Sequence, residues 1–291
     1  MPPSPKPDSD LTIRFVVGVV LIAGACLVTW AGGWWFRALA VIATGLMLLE
    51  WADMHKVRRL WAGVGAVLAA GVLLGATEYY YPISADAAEL VEISFLPALA
   101  GAILLGLVSL RIAMGWGFAY IVLPAFCLVV LNWIEPGLVF WVLIVTVATD
   151  TFAYFAGRTI GGPKLAPKIS PNKTWAGLVG GMAGASCFGW VAAWYFDLGA
   201  PFLWLGGVMG AIAQAGDLYE SWEKRRAGIK DSGSLLPGHG GVLDRLDGLL
   251  AVSLAVMAIL LWTNLWAPPA SPDDDVIEMM TAMHVTGLRT G

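Results

Sequence analysis

The chain has 291 residues, of which 58% are apolar and 13% charged, with a mean hydropathy of +0.75 and a formal net charge of −4. Soluble domains carry about a quarter charged residues, so this composition excludes an ordinary soluble globule and makes the bilayer the main solvent. The small negative charge excludes a global basic field, and with it nucleic acid as a partner, leaving any anion binding to local clusters.

The amino end, MPPSPKPDSD, is polar and proline-rich and runs into apolar sequence without a small-residue cleavage site, which predicts a retained first span rather than a signal peptide. Runs of about 17 to 25 apolar residues predict helices near 14–32, 35–52, 60–77, 91–110, 113–133, 137–157, 174–196, 200–217 and 247–266. The expected fold is therefore all-α: a polytopic membrane protein of about nine transmembrane helices. It divides into amino-terminal helices (1–136), a carboxyl-terminal catalytic region with cytoplasmic loops (137–266) and a polar tail (267–291). Cys26, Cys127 and Cys187 sit in apolar runs without CxxC spacing and read as packing residues.

Loops at 53–59, 111–112, 158–173 and 218–246 hold nearly all of the bases. With Lys6 and Arg14 on the same side, only Arg37 and Arg289 of the 17 basic residues fall on the other. The positive-inside rule makes the base-rich side cytoplasmic, with the amino end inside and the carboxyl end outside. Opposite loops such as ATEYYYPISADAAE are short or acidic, and Trp and Tyr gather at span ends as interfacial anchors. At the end of the second span, Glu50, Asp53 and His55 with Lys56, Arg58 and Arg59 read as an interfacial cap.

The first chemical constellation is DTFAYFAGRTIGGPKLAPKISPNKT, Asp150 to Thr174. Asp150 lies about 10 Å inside the sixth span at 1.5 Å per residue, and a carboxylate at that depth is a functional hypothesis. Tyr154 and Arg158 follow on the same face, so an Asp150–Tyr154 hydrogen bond with Arg158 reaching the interface is the structural alternative. Lys164, Lys168, Ser170, Lys173 and Thr174 precede a helix start, where free amides favour anions such as a phosphate head group.

The second is DLYESWEKRRAGIKDSGSLLPGHGGVLDRLD, Asp217 to Asp247, with six acids, five bases and five glycines in 31 residues. Asp217, Glu220 and Ser221 share one helical face, as do Asp244 and Asp247. Two carboxylate faces converging at one interface can hold a divalent cation, and oxygen donors without a Cys or His cluster favour Mg²⁺. Gly238, Gly240 and Gly241 around His239 let backbone amides approach an anion. Bases, a glycine-rich turn and carboxylates together suit phosphoryl transfer, which is mostly positioning and charge neutralisation. The alternative is a solvated loop whose acids pair with Lys224, Arg225, Lys230 and Arg245.

The run Ser221-x-x-Lys224-Arg225-x4-Lys230-Asp231-Ser232-Gly233-x-x-Leu236-Pro237-Gly238-His239-Gly240-Gly241-x-x-Asp244-Arg245-x-Asp247 closely resembles the signature of phosphatidate cytidylyltransferases, the CDP-diglyceride synthases. Asp150-Thr151-x-Ala153-Tyr154-x-x-Gly157-Arg158 and Ile169-Ser170-Pro171-x-Lys173-Thr174 also match that family's style, while the first half resembles it only in being hydrophobic helices. Glu223 stands where the family usually has an apolar residue, Asn172 where lysine is common and Ala176 where glutamate is common.

The resemblance implies that CTP binds with Mg²⁺, a phosphate oxygen of phosphatidic acid attacks the α-phosphorus, and pyrophosphate leaves, at the bacterial cytoplasmic membrane. It implies metal ligation by Asp217 and Asp244, with Asp247 and Glu220 as supporting or alternate ligands, and leaves room for a second, monovalent cation. Lys224, Arg225 and Lys230 would neutralise the triphosphate, with Asp231 and Arg245 beside them, and the His239 turn would shape the nucleotide pocket. Ser170, Lys173 and Thr174, with Asp150 and Arg158, would meet the lipid phosphate. Membrane lipids surround the chain, and a homodimer is one assembly open to it. A CTP-dependent kinase of a polyprenol-type lipid is the nearest rival and a transporter a more distant one. A CDP-alcohol phosphotransferase is disfavoured because its DGxxAR…GxxxDxxxD pattern is absent.

Overall fold

A computed structural model describes residues 18, 22–79, 87–233, 235 and 240–263, with side chains at 76–79 and 87–94 left aside. The start of the first predicted span, residues 80–86 of the 76–89 loop, Gly238, His239 and the polar tail lie outside the described residues.

The fold is mostly helical. The described helices are α1 (Ile22–Ala31), α2 (Gly33–Met54), α3 (Arg59–Tyr79), α4 (Ala87–Val108), α5 (Ile112–Ile134), α6 (Pro136–Thr159), α7 (Trp175–Tyr195), α8 (Ala200–Arg226) and α9 (Leu243–Thr263). Each predicted apolar segment falls on one of them. Five, namely α2, α5, α6, α7 and α9, are long and apolar enough to cross a membrane. Helix boundaries follow local chemistry: α6 opens with Pro136 at its first position, and the Glu135 side chain accepts from Gly137 N at 3.2 Å.

The helices pack around α5, the most enclosed of the five candidate spans. Phe118 and Phe126 of α5 are fully buried, as are Trp51 of α2 and Trp141 of α6. Trp51 donates its indole N–H to Ala113 O at 2.8 Å, fixing the end of α2 to the start of α5. Helices α6 and α7 approach almost backbone to backbone: a Cβ on Gly181 would sit 3.0 Å from Thr149 O, and one on Gly184 would run into the Phe152 ring. Small residues at such spacing let membrane helices pack by close contact where no hydrophobic drive separates them from lipid.

Two expectations are corrected. The 158–173 segment is not all loop: β1 (Lys164–Ala166) pairs antiparallel with β2 (Ser170–Thr174), with Lys164 opposite Thr174 and Ala166 opposite Ser170. Strands this short, carrying Pro, Lys and Asn, show no alternating apolar signal. The eighth helix does not stop at Asp217 but continues to Arg226, its last turns keeping the helical backbone while Lys224 pairs with Glu220 one turn before it.

Candidate active site

Four helix ends and the hairpin meet at one end of the bundle. Asp217, Glu220, Ser221 and Lys224 lie along one face of α8, and Asp244 and Asp247 occupy the first turns of α9. The two helices touch where the acids begin: a Cβ on Gly216 would stand 2.8 Å from Asp247 O and 2.7 Å from the Ala251 methyl. Glycine there lets the carboxylate-bearing turns converge.

Two lysines hold the acids together. Lys224 Nζ lies 2.6 Å from Asp244 Oδ1 and 3.0 Å from Glu220 Oε2. Lys173, from β2, reaches Asp217 Oδ2 at 2.6 Å, and Ser221 donates its hydroxyl to Asp217 Oδ1 at 3.2 Å. The acid–base pairing weighed as an alternative from sequence is thus present at Lys224, inside an ordered cluster rather than a solvated loop. Burial alone would lower the Lys224 ammonium pKa, but the Glu220 and Asp244 carboxylates more than offset it and hold the value above that of an ordinary lysine. Burial raises the Glu220 carboxyl above its usual range.

Asp244 is the best-anchored acid. Besides Lys224 it accepts from Ser232 N at 3.0 Å and Gly241 N at 2.9 Å, so one carboxylate clasps both ends of the 232–241 segment. Gly240, at φ +84°, adopts a backbone that other residues rarely take. Asp247 accepts from Gly248 N at 2.6 Å and lies within the fields of Asp217 and Glu220.

The hairpin joins the two sequence constellations. Arg225 Nε donates to Ile169 O at 3.3 Å beside the Lys173–Asp217 pair. Asp150 is on the exposed side of α6, near enough to Asp217, Lys173 and Arg245 for their charges to act on it. The Asp150–Tyr154 hydrogen bond weighed as the alternative does not form among the described residues; Tyr154 accepts from Arg158 at 3.1 Å. Thr174 is buried and its hydroxyl accepts from Gly177 N at 3.0 Å, capping α7 instead of facing an open surface. Ser170, at the other end of β2, is half-buried. Lys230 and Asp231 are exposed and make no ion pair among the described residues. The structure therefore brings Asp150, Lys173, Asp217, Glu220, Lys224, Asp244, Arg245 and Asp247 together and leaves Arg158, Lys230 and Asp231 at the rim.

The donor set suits a hard divalent cation: four carboxylates, with Glu220 Oε1 buried and without a hydrogen-bond partner. Among the described residues no three acid, His or Cys side chains stand close enough to ligate one ion together, and Lys173 and Lys224 occupy the space beside Asp217 and Asp244. A metal fits the chemistry once those ammonium groups give way.

Sequence reasoning missed several residues. Glu50, read as part of an interfacial cap, is buried and accepts from Val242 N and Leu243 N, both at 2.8 Å. Tyr120 of α5 brings an unpartnered buried hydroxyl beside Glu220, Asp247 and Asp217. Glu223, unusual for the signature, is buried between His55 Nε2 at 3.4 Å and the Tyr219 hydroxyl at 3.2 Å, with Arg226 at 3.6 Å. A polar residue inside a predicted span end was the available signal for Glu50. Its partners lie some 190 positions away, and nothing local names them. A cavity of about 530 Å³ lies on another face of α8, lined by Trp51, His55, Lys56, Trp116, Glu223 and Arg226; none of the clustered acids lines it.

Comparison with known proteins agrees with this arrangement. The family model described as "Cytidylyltransferase family" matches residues 12–263. A phosphatidate cytidylyltransferase of Brucella suis is 39% identical over 279 residues, covering 91% of this chain and 97% of the relative. The Rickettsia bellii protein of that name is 29% identical over 255 residues, covering 84% and 88%, and the Pseudomonas aeruginosa one is 41% identical over 167 residues, covering 55% and 60%. With a match that takes in both the acid-bearing helix ends and the hairpin between them, this chain belongs to the cytidylyltransferase family.

Proposed function

We propose that this chain is a phosphatidate cytidylyltransferase, moving CMP from CTP to phosphatidic acid to give CDP-diacylglycerol and pyrophosphate in phospholipid synthesis. The observation that carries the proposal is the Lys173–Asp217 contact of 2.6 Å, which makes one site of the hairpin and the α8–α9 acids. Family membership supplies the reaction class.

In this reading a phosphate oxygen of phosphatidic acid forms the new bond to the α-phosphorus of CTP, the α–β bridging bond breaks, and pyrophosphate leaves. The lipid phosphomonoester, with a second pKa of about 6, is already largely dianionic at neutral pH, so no strong general base is needed. Asp217 and Asp244 would hold Mg²⁺, with Glu220 and Asp247 as supporting or alternate ligands, and the ion would supply charge neutralisation on the triphosphate. Lys224 and Arg225 then turn from carboxylates and carbonyls to the phosphates, with Lys230, Asp231 and the Gly240–Gly241 end of the His239 turn beside them. Lys173, Ser170 and Asp150 border the lipid phosphate, with Arg158 at the rim. A monovalent cation has the orphaned Glu220 Oε1 as its natural donor.

Nine membrane crossings with the amino end inside place this site at the cytoplasmic face of a bacterial inner membrane. The skewed distribution of bases supports that orientation. The site then lies at the depth of a lipid head group, and phosphatidic acid reaches it without leaving the bilayer.

The test is a single-turnover assay of purified protein with CTP and phosphatidic acid, with and without Mg²⁺. CDP-diacylglycerol plus pyrophosphate, formed only with Mg²⁺, is the expected result. CDP plus a newly phosphorylated lipid would instead establish the CTP-dependent kinase.

A further inference from the structure

We propose that Glu50, far from the signature in sequence, is a positioning residue for the reaction: it caps α9 from another helix and thereby sets Asp244. This rests on the reading that Asp244 serves CMP transfer.

Glu50 sits near the end of α2 and is 2% exposed. Its Oε1 accepts from Val242 N at 2.8 Å, and its Oε2 accepts from Leu243 N at 2.8 Å and from Ser232 Oγ at 3.3 Å. No described Lys or Arg lies within ion-pair distance of it. A buried carboxylate without a cation is costly unless hydrogen bonds and a helix dipole take its charge, and the start of α9 offers both. Conversely, the residue just before α9, Val242, offers its first amides no side-chain acceptor. The acceptor comes from α2 instead, which is itself tied to α5 through Trp51 and Ala113.

The contacts interleave with those of Asp244. Ser232 gives its backbone N–H to Asp244 and its hydroxyl to Glu50; Gly241 gives its N–H to Asp244, and the next two amides go to Glu50. The packing leaves no slack: a Cβ on Gly233 would lie 2.7 Å from Glu50 Oε1, and one on Gly241 would lie 2.8 Å from Oε2. Both ends of the 232–241 segment are therefore clamped between two carboxylates. One belongs to the proposed site; the other belongs to the amino-terminal half and touches neither substrate nor reacting atoms. The first helices thus carry more than a membrane anchor.

The experiment uses the full chain in nanodiscs as wild type, Glu50→Gln and Glu50→Asp. Glutamine has nearly the same shape but turns an NH₂ donor toward amide donors, whereas aspartate keeps both acceptors one methylene short. Loss of a residue that orients a site ligand typically costs about 10- to 100-fold. The expected result is a kcat lower by that factor in Glu50→Gln with KM for CTP changed far less, and partial recovery in Glu50→Asp. Hydrogen exchange should quicken at 231–233 and 240–243 and stay unchanged in α6 and α7. Wild-type kcat in Glu50→Gln, equal losses in both variants, or exchange quickened throughout the chain would overturn the assignment. Should Glu50→Gln fail to fold, Glu50→Asp carries the same readouts. A wild type that transfers no CMP would defeat the assigned reaction, while the exchange pattern would still decide whether Glu50 holds the loop.

Discussion

The two ends of the helix bundle are built from the same helices by different chemistry. At the end where α5 finishes and α6 begins, neutral contacts close the structure: Asn132 donates to Thr29 O at 3.0 Å, Trp141 donates to Gly189 O at 2.8 Å, and the rings of Phe140 and Phe196 stack 5.5 Å apart. At the other end, Lys173 and Lys224 bridge three carboxylates, with Asp247 beside Glu220 and Glu50 clamping the loop behind. Neutral hydrogen bonds between fixed partners are suited to holding helices. Buried charges cost desolvation and contribute little net stability, so a cluster of them is retained for something other than holding. The difference between the ends separates scaffold from chemistry.

Substitutions should widen that difference in a graded way. The largest effect is expected for Asp217→Asn and Asp244→Asn, which keep shape but remove charge: activity should fall by about 10²- to 10³-fold or more, as for loss of a principal electrostatic group, measured as CDP-lipid formed per minute by detergent-solubilised protein. Lys224→Met comes next. It leaves Glu220 and Asp244 facing one another without their counter-ion, so a melting scan should show a loss of stability of about 3 kcal/mol together with a collapse in turnover. Lys173→Ala should raise KM for phosphatidic acid about tenfold, one lost charge-assisted contact being worth about 1.5 kcal/mol, with KM for CTP little changed in a two-substrate titration. Trp141→Phe, at the neutral end, should cost about 1 kcal/mol by removing the second hydrogen bond of Gly189 O, which keeps its bond within α7, and leave turnover per folded molecule as in wild type. If Trp141→Phe cut turnover as deeply as Lys224→Met, the division between the ends would not hold.

Much of this was legible in the sequence, and the reasons for success and failure are physical. The helix positions came from unbroken apolar runs, and the convergence of Asp217 with Asp244 and Asp247 came from their three- and four-residue spacing beside span ends. Hydropathy could not see α8 beyond Asp217, because a helix keeps its backbone hydrogen bonds while its side chains change from apolar to charged. The hairpin at 164–174 was hidden by strands too short to alternate. Lys173 was recognised as a phosphate-binding candidate from its position before a helix, but its contact with Asp217 spans 44 residues of chain and belongs to tertiary structure. Glu50 is the clearest case: an acid at a span end resembles an ordinary interfacial residue until the amides at the start of α9 are seen to bond to it.

The most direct measurement of the central claim follows the fate of labelled phosphate when the purified protein meets phosphatidic acid and CTP labelled at either the α- or the γ-phosphorus, in wild type and in Asp244→Asn. The account predicts that α-label enters the lipid fraction and γ-label leaves as pyrophosphate in wild type, and that both remain in CTP in the variant. Label from the γ-phosphorus appearing in lipid, or α-label incorporated by Asp244→Asn at the wild-type rate, would contradict it.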